Sequence, residues 1–193
     1  MKKEKSPSDS AAECEEKGGF DNFTKRVLRL TAIYLIFFGV YMIIFSCILM
    51  ITKIPSESME STIMTGDIVI ATRFGVDADE IKRYDILIFT LPNEPNTTYI
   101  KRVIGLPGET VEVKNGRVYA DGVELDDSFT NGSMNRRGDG VYPVPEGCYF
   151  FLGDNRNQSK DSRFWKEKYI PIENIQAKAW YIVYPFNRAG HIE

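Results

Sequence analysis

Between Leu30 and Thr52 the chain runs for 23 residues without a charge (LTAIYLIFFGVYMIIFSCILMIT). Wound as a helix, that run is about 34 Å long, enough for the roughly 30 Å apolar core of a bilayer. It is apolar all round rather than striped, which argues against a helix in a soluble core. It is also longer than the apolar region of a cleaved leader, and no small-residue cleavage pattern follows it. An uncleaved anchor is therefore expected. Lys25, Arg26 and Arg29 stand just before the run and only Lys53 just after it. The positive-inside rule then places the N-terminus in the cytoplasm and the rest outside, in a single pass. The first 22 residues are polar, rich in Ser and Glu, and include Gly18-Gly19. They read as a short disordered tail. The expected organisation is a cytoplasmic tail over 1–29, a transmembrane helix over 30–52 and an extracytoplasmic domain over 53–193.

Beyond the run the pattern changes from continuous apolarity to short alternating stretches. Asp67–Thr72 (DIVIAT), Tyr84–Thr90 (YDILIFT) and Tyr99–Ile104 (YIKRVI) are β-branched and aromatic runs that predict strands. VEVK and RVYA flank Asn115-Gly116, a two-residue hairpin signal, and Asp121-Gly122 marks the next turn. CYFFLG (Cys148–Gly153) and AKAWYIVYP (Ala177–Pro185) add two more strands. No long helical stripe appears here; Phe164–Tyr169 has room for one short turn. The polar stretch Asp126–Gly147 carries Gly132, Gly138, Gly140 and Gly147 and reads as a long, mobile loop. The fold class expected is mainly β: one antiparallel all-β domain behind one N-terminal transmembrane helix.

Charge and composition narrow the chemistry. The chain has 193 residues and a net charge of −3, so no global basic field points to nucleic acid. That charge divides into +1 over residues 1–52 and −4 over 53–193. The single His, His191, rules out a two-His metal site and makes any Ser-His-Asp triad depend on a tail residue. Cys14, Cys47 and Cys148 have neither zinc spacing nor a disulfide framework, and Cys148 reads as a core residue. No cofactor or metal is expected.

Three segments concentrate polar groups. Ile54-Pro55-Ser56-Glu57-Ser58-Met59 follows the apolar run directly. Its two Ser, two apart in an extended segment, point the same way. They fit a nucleophile near a membrane surface, or a plain polar stem. Tyr99-Ile100-Lys101-Arg102-Val103-Ile104-Gly105-Leu106-Pro107-Gly108-Glu109 sets two cations in an apolar strand. Period-2 geometry puts Lys101 with Tyr99 and Val103, and Arg102 with Ile100 and Ile104, so one cation must point to the more buried face. A Lys acting as base must be neutral, which desolvation can achieve; a snorkelling edge Lys is the plainer reading. Gly153-Asp154-Asn155-Arg156-Asn157-Gln158-Ser159-Lys160-Asp161-Ser162-Arg163 follows an apolar strand. Asp161 and Arg163 could pair to fix this loop, and Ser159 could offer a hydroxyl to a neutral Lys.

In that order and spacing the three segments resemble the bacterial type I signal peptidase (leader peptidase) family. Its nucleophile motif P-S-x-S-M is matched at Pro55–Met59, its lysine motif at Tyr99–Glu109, and its GDNRxxSxDSR motif at Gly153–Arg163. The short chain and single span resemble the compact form common in Gram-positive bacteria. The resemblance implies a membrane-bound serine endopeptidase that removes signal peptides from exported preproteins, cutting after small residues with a Ser-Lys dyad. Carried over by position, Ser58 is the nucleophile and Lys101 its general base. Ser56 donates to the oxyanion, and Ser159 orients the Lys101 amine. Asp154, Arg156, Asp161 and Arg163 are structural support. Ile54, Met59, Ile63, Tyr99 and Ile100 match positions that line shallow pockets for small side chains. The partners implied are exported preproteins and the lipid bilayer of the plasma membrane, with the secretion translocon as a further candidate. One departure stands out: the family usually continues with Pro-Thr where this chain has Ser61-Thr62. The missing Pro removes a backbone restraint but no catalytic atom.

Other readings remain open at this level. A dedicated peptidase for one pilin or surface protein would use the same residues. A non-catalytic, membrane-anchored β-domain would account for the anchor and strands but not for three matching motifs. A Ser-His peptidase would have to use His191.

Overall fold

The computed structural model describes residues 7–192. The chain divides into two compact units, 1–47 and 48–193. In the first, one α-helix, α1, runs over Pro7–Ile48. Its stretch Asn22–Ile48, 27 residues, is long and apolar enough to cross a membrane. The hydroxyls of Thr31 and Ser46 are donated back to the carbonyls of Val27 and Ile43, so neither faces lipid unpaired. Two boundaries differ from the sequence expectation. Residues 7–22, read as a disordered tail, continue the helix; residues 1–6 of that tail lie outside the described residues. Residues 49–52, read as the end of the span, are strand, because their backbone finds a partner strand some twenty residues on rather than another helical turn.

The second unit holds twelve strands: β1 (Leu49–Lys53), β2 (Ile68–Thr72), β3 (Ile86–Leu91), β4 (Glu94–Gly105), β5 (Thr110–Lys114), β6 (Arg117–Ala120), β7 (Val123–Glu124), β8 (Gly140–Pro143), β9 (Cys148–Leu152), β10 (Ile170–Pro171), β11 (Ile175–Tyr184) and β12 (Gly190–His191). They form an eight-stranded sheet, ordered β1-β2-β11-β3-β4-β9-β10 with β12 on β11, and a four-stranded sheet, ordered β7-β6-β5-β8. Every pairing is antiparallel.

The strand runs predicted from the sequence are all present. The continuous apolar run ILIFTL becomes β3, a central strand buried throughout. Alternation sends Ile86 and Ile88 to one core cluster, with Met59, Ile63 and Ile100, and Leu87 and Phe89 to another, with Phe151 and Trp165. Both faces of the large sheet are thus covered, which is why β3 reads as a run rather than an alternation. A third cluster, including Val111, Val118, Tyr142 and Phe150, joins the small sheet to the end of β4 and to β9. At the β5–β6 hairpin, Asn115 (φ 52°) and Gly116 (φ 78°) both adopt positive φ, the turn the Asn-Gly pair predicts.

The stretch Asp126–Gly147 is not the open loop its composition suggests. It contains β8, paired with β5 from Thr110 to Val113. Its first half is held to the large-sheet unit: Phe129 packs edge-on to Tyr84, and Arg156 pairs with Asp127 at 2.5 Å. Local composition misses this because every one of those partners is distant in sequence.

Candidate active site

The Ser-bearing segment leaves β1 and returns to β2 as a closed loop. Its base is fastened by Ile54 N–H to Asp67 O (2.9 Å) and Gly66 N–H to Ile54 O (2.8 Å). Inside it, Glu60 N–H reaches back to Glu57 O and the amides of Thr62 and Ile63 to Met59 O, so Ser58 sits in the first of two overlapping tight turns. Ile54, Met59 and Ile63 anchor that turn in the core. The Ser56 and Ser58 hydroxyls lie on one side, 3.4 Å apart.

Lys101 meets this turn from β4. Its Nζ donates to Ser58 Oγ at 2.5 Å and to Ile100 O at 2.8 Å. Lys101 is 4% exposed and Ser58 6%. Burial is the main influence on the amine, and it lowers the pKa from 10.5 to about 8, against the opposing pull of Asp161 and then Asp154. A hydroxyl and an amine that is partly neutral near physiological pH are therefore in hydrogen-bond contact, shielded from water. Among the described residues, no acceptor pairs with the backbone N–H of Ser58, so that donor is available for a developing oxyanion.

Arg102, the neighbouring cation, is buried too, on the strand's other side. Its Nε and Nη2 grip both oxygens of Asp154 (2.9 and 2.7 Å), and its Nη1 donates to Tyr84 O. Thr62 Oγ1 donates to the same carboxylate at 2.6 Å, tying the Ser58 turn to the pair. A second buried pair braces the 153–163 loop. Arg163 Nε and Nη2 each lie 2.8 Å from an oxygen of Asp161, which also accepts from Gly153 N–H. Two bidentate ion pairs, each with further donors, satisfy the buried charges and fix the surroundings of Lys101.

The loop and the turn are packed against each other at Gly153. A Cβ there would collide with the carbonyl oxygen of Ser58 and with Ser159 Oγ. Asn155 completes the contact: its backbone N–H donates to Ser58 O and its side chain to Glu57 O, both at 3.2 Å.

The predicted residues are thus distributed as follows. Ser58, Lys101 and Ser56 are brought together. Asp154 and Asp161 sit in the two buried ion pairs, and Arg156 pairs with Asp127. Ser159 is buried beside Gly153, yet among the described residues its hydroxyl has no hydrogen-bond partner, and the Lys101 amine is bonded elsewhere. Ile54, Met59, Ile63 and Ile100 share one core cluster, Met59 and Ile63 having no exposed surface; Tyr99 packs with the other, against Phe89 and Trp165. His191 packs on Trp180 and Tyr181, while the Ser58 hydroxyl is taken by Lys101. Cys148 is half-buried at the edge of the third cluster.

Sequence reasoning missed several participants. Arg102 had a signal, being a cation in an apolar strand. Thr62, Asn155 and Gly153 stand inside or beside the motifs but carried no reason of their own. Arg188 had none: from the C-terminal segment it donates to Thr62 O (3.2 Å) and pairs with Asp67 (3.0 Å).

An antiparallel β scaffold that buries a lysine amine against a serine hydroxyl is equipped for attack on an acyl carbon. Comparison with known proteins places the chain: residues 25–184 match the family model described as signal peptidase, peptidase S26, and the chain belongs to that family of peptidases. It is 39% identical over 147 residues to signal peptidase I of Leptolyngbya laminosa, covering 72% of this chain and 70% of that protein. It is 31% identical over 148 residues to signal peptidase I of Bacillus caldolyticus, covering 70% and 79%. A crystal structure of a signal peptidase I from Enterococcus faecalis V583 matches with a TM-score of 0.43 and 32% identity, over 51% of this chain and 95% of that one.

Proposed function

We propose that this protein is a membrane-anchored serine endopeptidase that removes signal peptides from exported preproteins. The observation that carries this reading is the buried 2.5 Å contact between Lys101 Nζ and Ser58 Oγ, in a chain of the signal peptidase family. Neutral Lys101 takes the proton of Ser58 as the oxygen attacks the scissile carbonyl carbon. The oxyanion is held by the Ser58 N–H and the Ser56 hydroxyl. Lys101 then returns the proton to the leaving amine, the C–N bond breaks, and the mature protein departs. In the second half, Lys101 takes a proton from water as it attacks the Ser58 ester, then returns that proton to Ser58 Oγ as the ester C–O bond breaks, releasing the signal peptide.

Ser159 is given the orienting role; its burial and its hydroxyl, unpaired among the described residues beside the Ser58 turn, support that reading. Asp154, Asp161 and Arg163 hold the surroundings of the base, and Arg156 holds the loop through Asp127. Tyr99 and Ile100, which keep some exposed surface, contact the substrate next to the bond; Ile54, Met59 and Ile63 form the floor beneath. Small side chains suit a floor so close under the site. The anchor lies in the plasma membrane with its basic flank cytoplasmic, as the charges around it favour.

The test is cleavage of an exported precursor by the purified full-length protein. Ser58→Ala and Lys101→Ala are each expected to lower the rate by at least about a thousandfold while the protein remains folded. Cleavage retained by Lys101→Ala would remove the amine from the mechanism.

A further inference from the structure

We infer that Ser61 is a positioning residue for the nucleophile, a tether between the turn that carries Ser58 and the 125–134 segment. This rests on the reading of Ser58 as nucleophile. Ser61 has φ 102°, a backbone conformation that L side chains rarely adopt. Its side chain is exposed, so no core packing forces that conformation. What holds it is polar: Ser61 Oγ donates to Phe129 O at 2.6 Å, across 68 positions of sequence.

Phe129 is itself a fixed point. Its ring lies over the Arg102 guanidinium (4.2 Å to the ring centre) and edge-on to Tyr84. On either side, Asp127 pairs with Arg156, and Asn131 N–H donates to Asp154 O. The tether therefore ends on the same buried charges that surround Lys101. Ser61 lies in the turn closed by the amides of Thr62 and Ile63 on Met59 O, and Ser58 in the overlapping turn closed by Glu60 N–H on Glu57 O. A backbone shift at Ser61 passes directly to Ser58, whose hydroxyl must stay within 2.5 Å of Lys101 Nζ. Pro cannot adopt this backbone conformation, since its ring holds φ near about −65°.

The test compares full-length wild type with Ser61→Ala, Ser61→Gly and Ser61→Pro, with Ser58→Ala as control. Precursor cleavage is followed at steady state and rates are normalised to folded enzyme by thermal melting. Ala removes the hydroxyl and keeps the unfavourable φ; Gly removes the hydroxyl and relieves the φ. If the tether positions the nucleophile, both lower kcat by about tenfold and leave KM within about twofold. Pro lowers kcat further, and Gly melts at or above Ala. Wild-type kcat in Ser61→Ala or Ser61→Gly overturns the inference. So does a loss confined to KM, or one that vanishes on normalisation. An active Ser58→Ala control would instead overturn the assignment of the nucleophile, leaving the two failures distinguishable.

Discussion

Lys101 and Arg102 are adjacent cations that are both buried, and the chain resolves each differently. Arg102 is paired with Asp154 through two hydrogen bonds. Lys101 has a hydroxyl and a carbonyl as its hydrogen-bond partners among the described residues, and burial penalises its charged form, so its pKa falls to about 8. The strand pattern in the sequence allowed only that one cation must face inward. It could not reveal that both do, because that depends on strands packed over both faces of β4. The lowered pKa sets two expectations. The cleavage rate should rise with pH as Lys101 loses its proton, with an apparent pKa near 8 in kcat/KM. For stability, the folded pKa lies below the unfolded value of 10.5, so the unfolded chain binds more protons between them. The cost of burying the charged amine is then fully present below about pH 8 and disappears as pH rises to about 10.5. Lys101→Met should therefore be inactive yet more stable at pH 7, by up to about 3 kcal/mol. That gain should shrink towards zero by pH 10.5 in denaturant titrations run across pH. A pH-independent difference would mean that the amine has the same pKa in the folded and unfolded chain.

Among the elements, the loop after β9 and the turn before β2 are built around one carboxylate. Asp154 binds Arg102 twice and accepts from Thr62, joining β4, the Ser58 turn and the 153–163 loop. Removing it takes the bidentate carboxylate from a 2%-exposed guanidinium. Asp154→Ala is expected to cost about 3–5 kcal/mol, and Asp154→Asn less, since the amide oxygen keeps one acceptor. Urea unfolding would measure both, and a cost below 1 kcal/mol for the Ala variant would show that Arg102 finds water or another acceptor. This network was only partly legible. The strands were readable from short β-branched runs and turn dipeptides, and the clustering of polar residues after Gly153 marked a site. The fastening at Thr62, Asn155 and Phe129 was not, because a hydrogen bond across 68 or more positions leaves no local pattern. For the same reason Asp126–Gly147 looked free when its composition was considered alone.

At the scale of the whole molecule, the apolar run hides a change of structure. Hydropathy counts side chains and is blind to backbone pairing, so LMIT at its end reads as more helix. Yet Leu49–Lys53 pairs with Ile68–Thr72 in unbroken register, and Met50 packs against the same core cluster that seats Met59 and Ile63. The compact β unit thus begins at the end of α1, not at the end of the apolar run. Two shortened chains separate these boundaries. One beginning at Leu49 keeps β1 and the contacts that seat the nucleophile turn. One beginning at Lys53 loses that strand, uncovers the edge of β2 and gives up the packing of Met50. The first is expected to fold and to cleave a short soluble peptide at a rate near that of the full chain. The second should be less stable by about 1–3 kcal/mol from lost apolar contact and backbone pairing, and correspondingly slower. Equal melting temperatures would place the functional boundary where hydropathy puts it. Activity towards precursors held in vesicles should fall in both, because neither retains the helix that keeps enzyme and substrate on one surface.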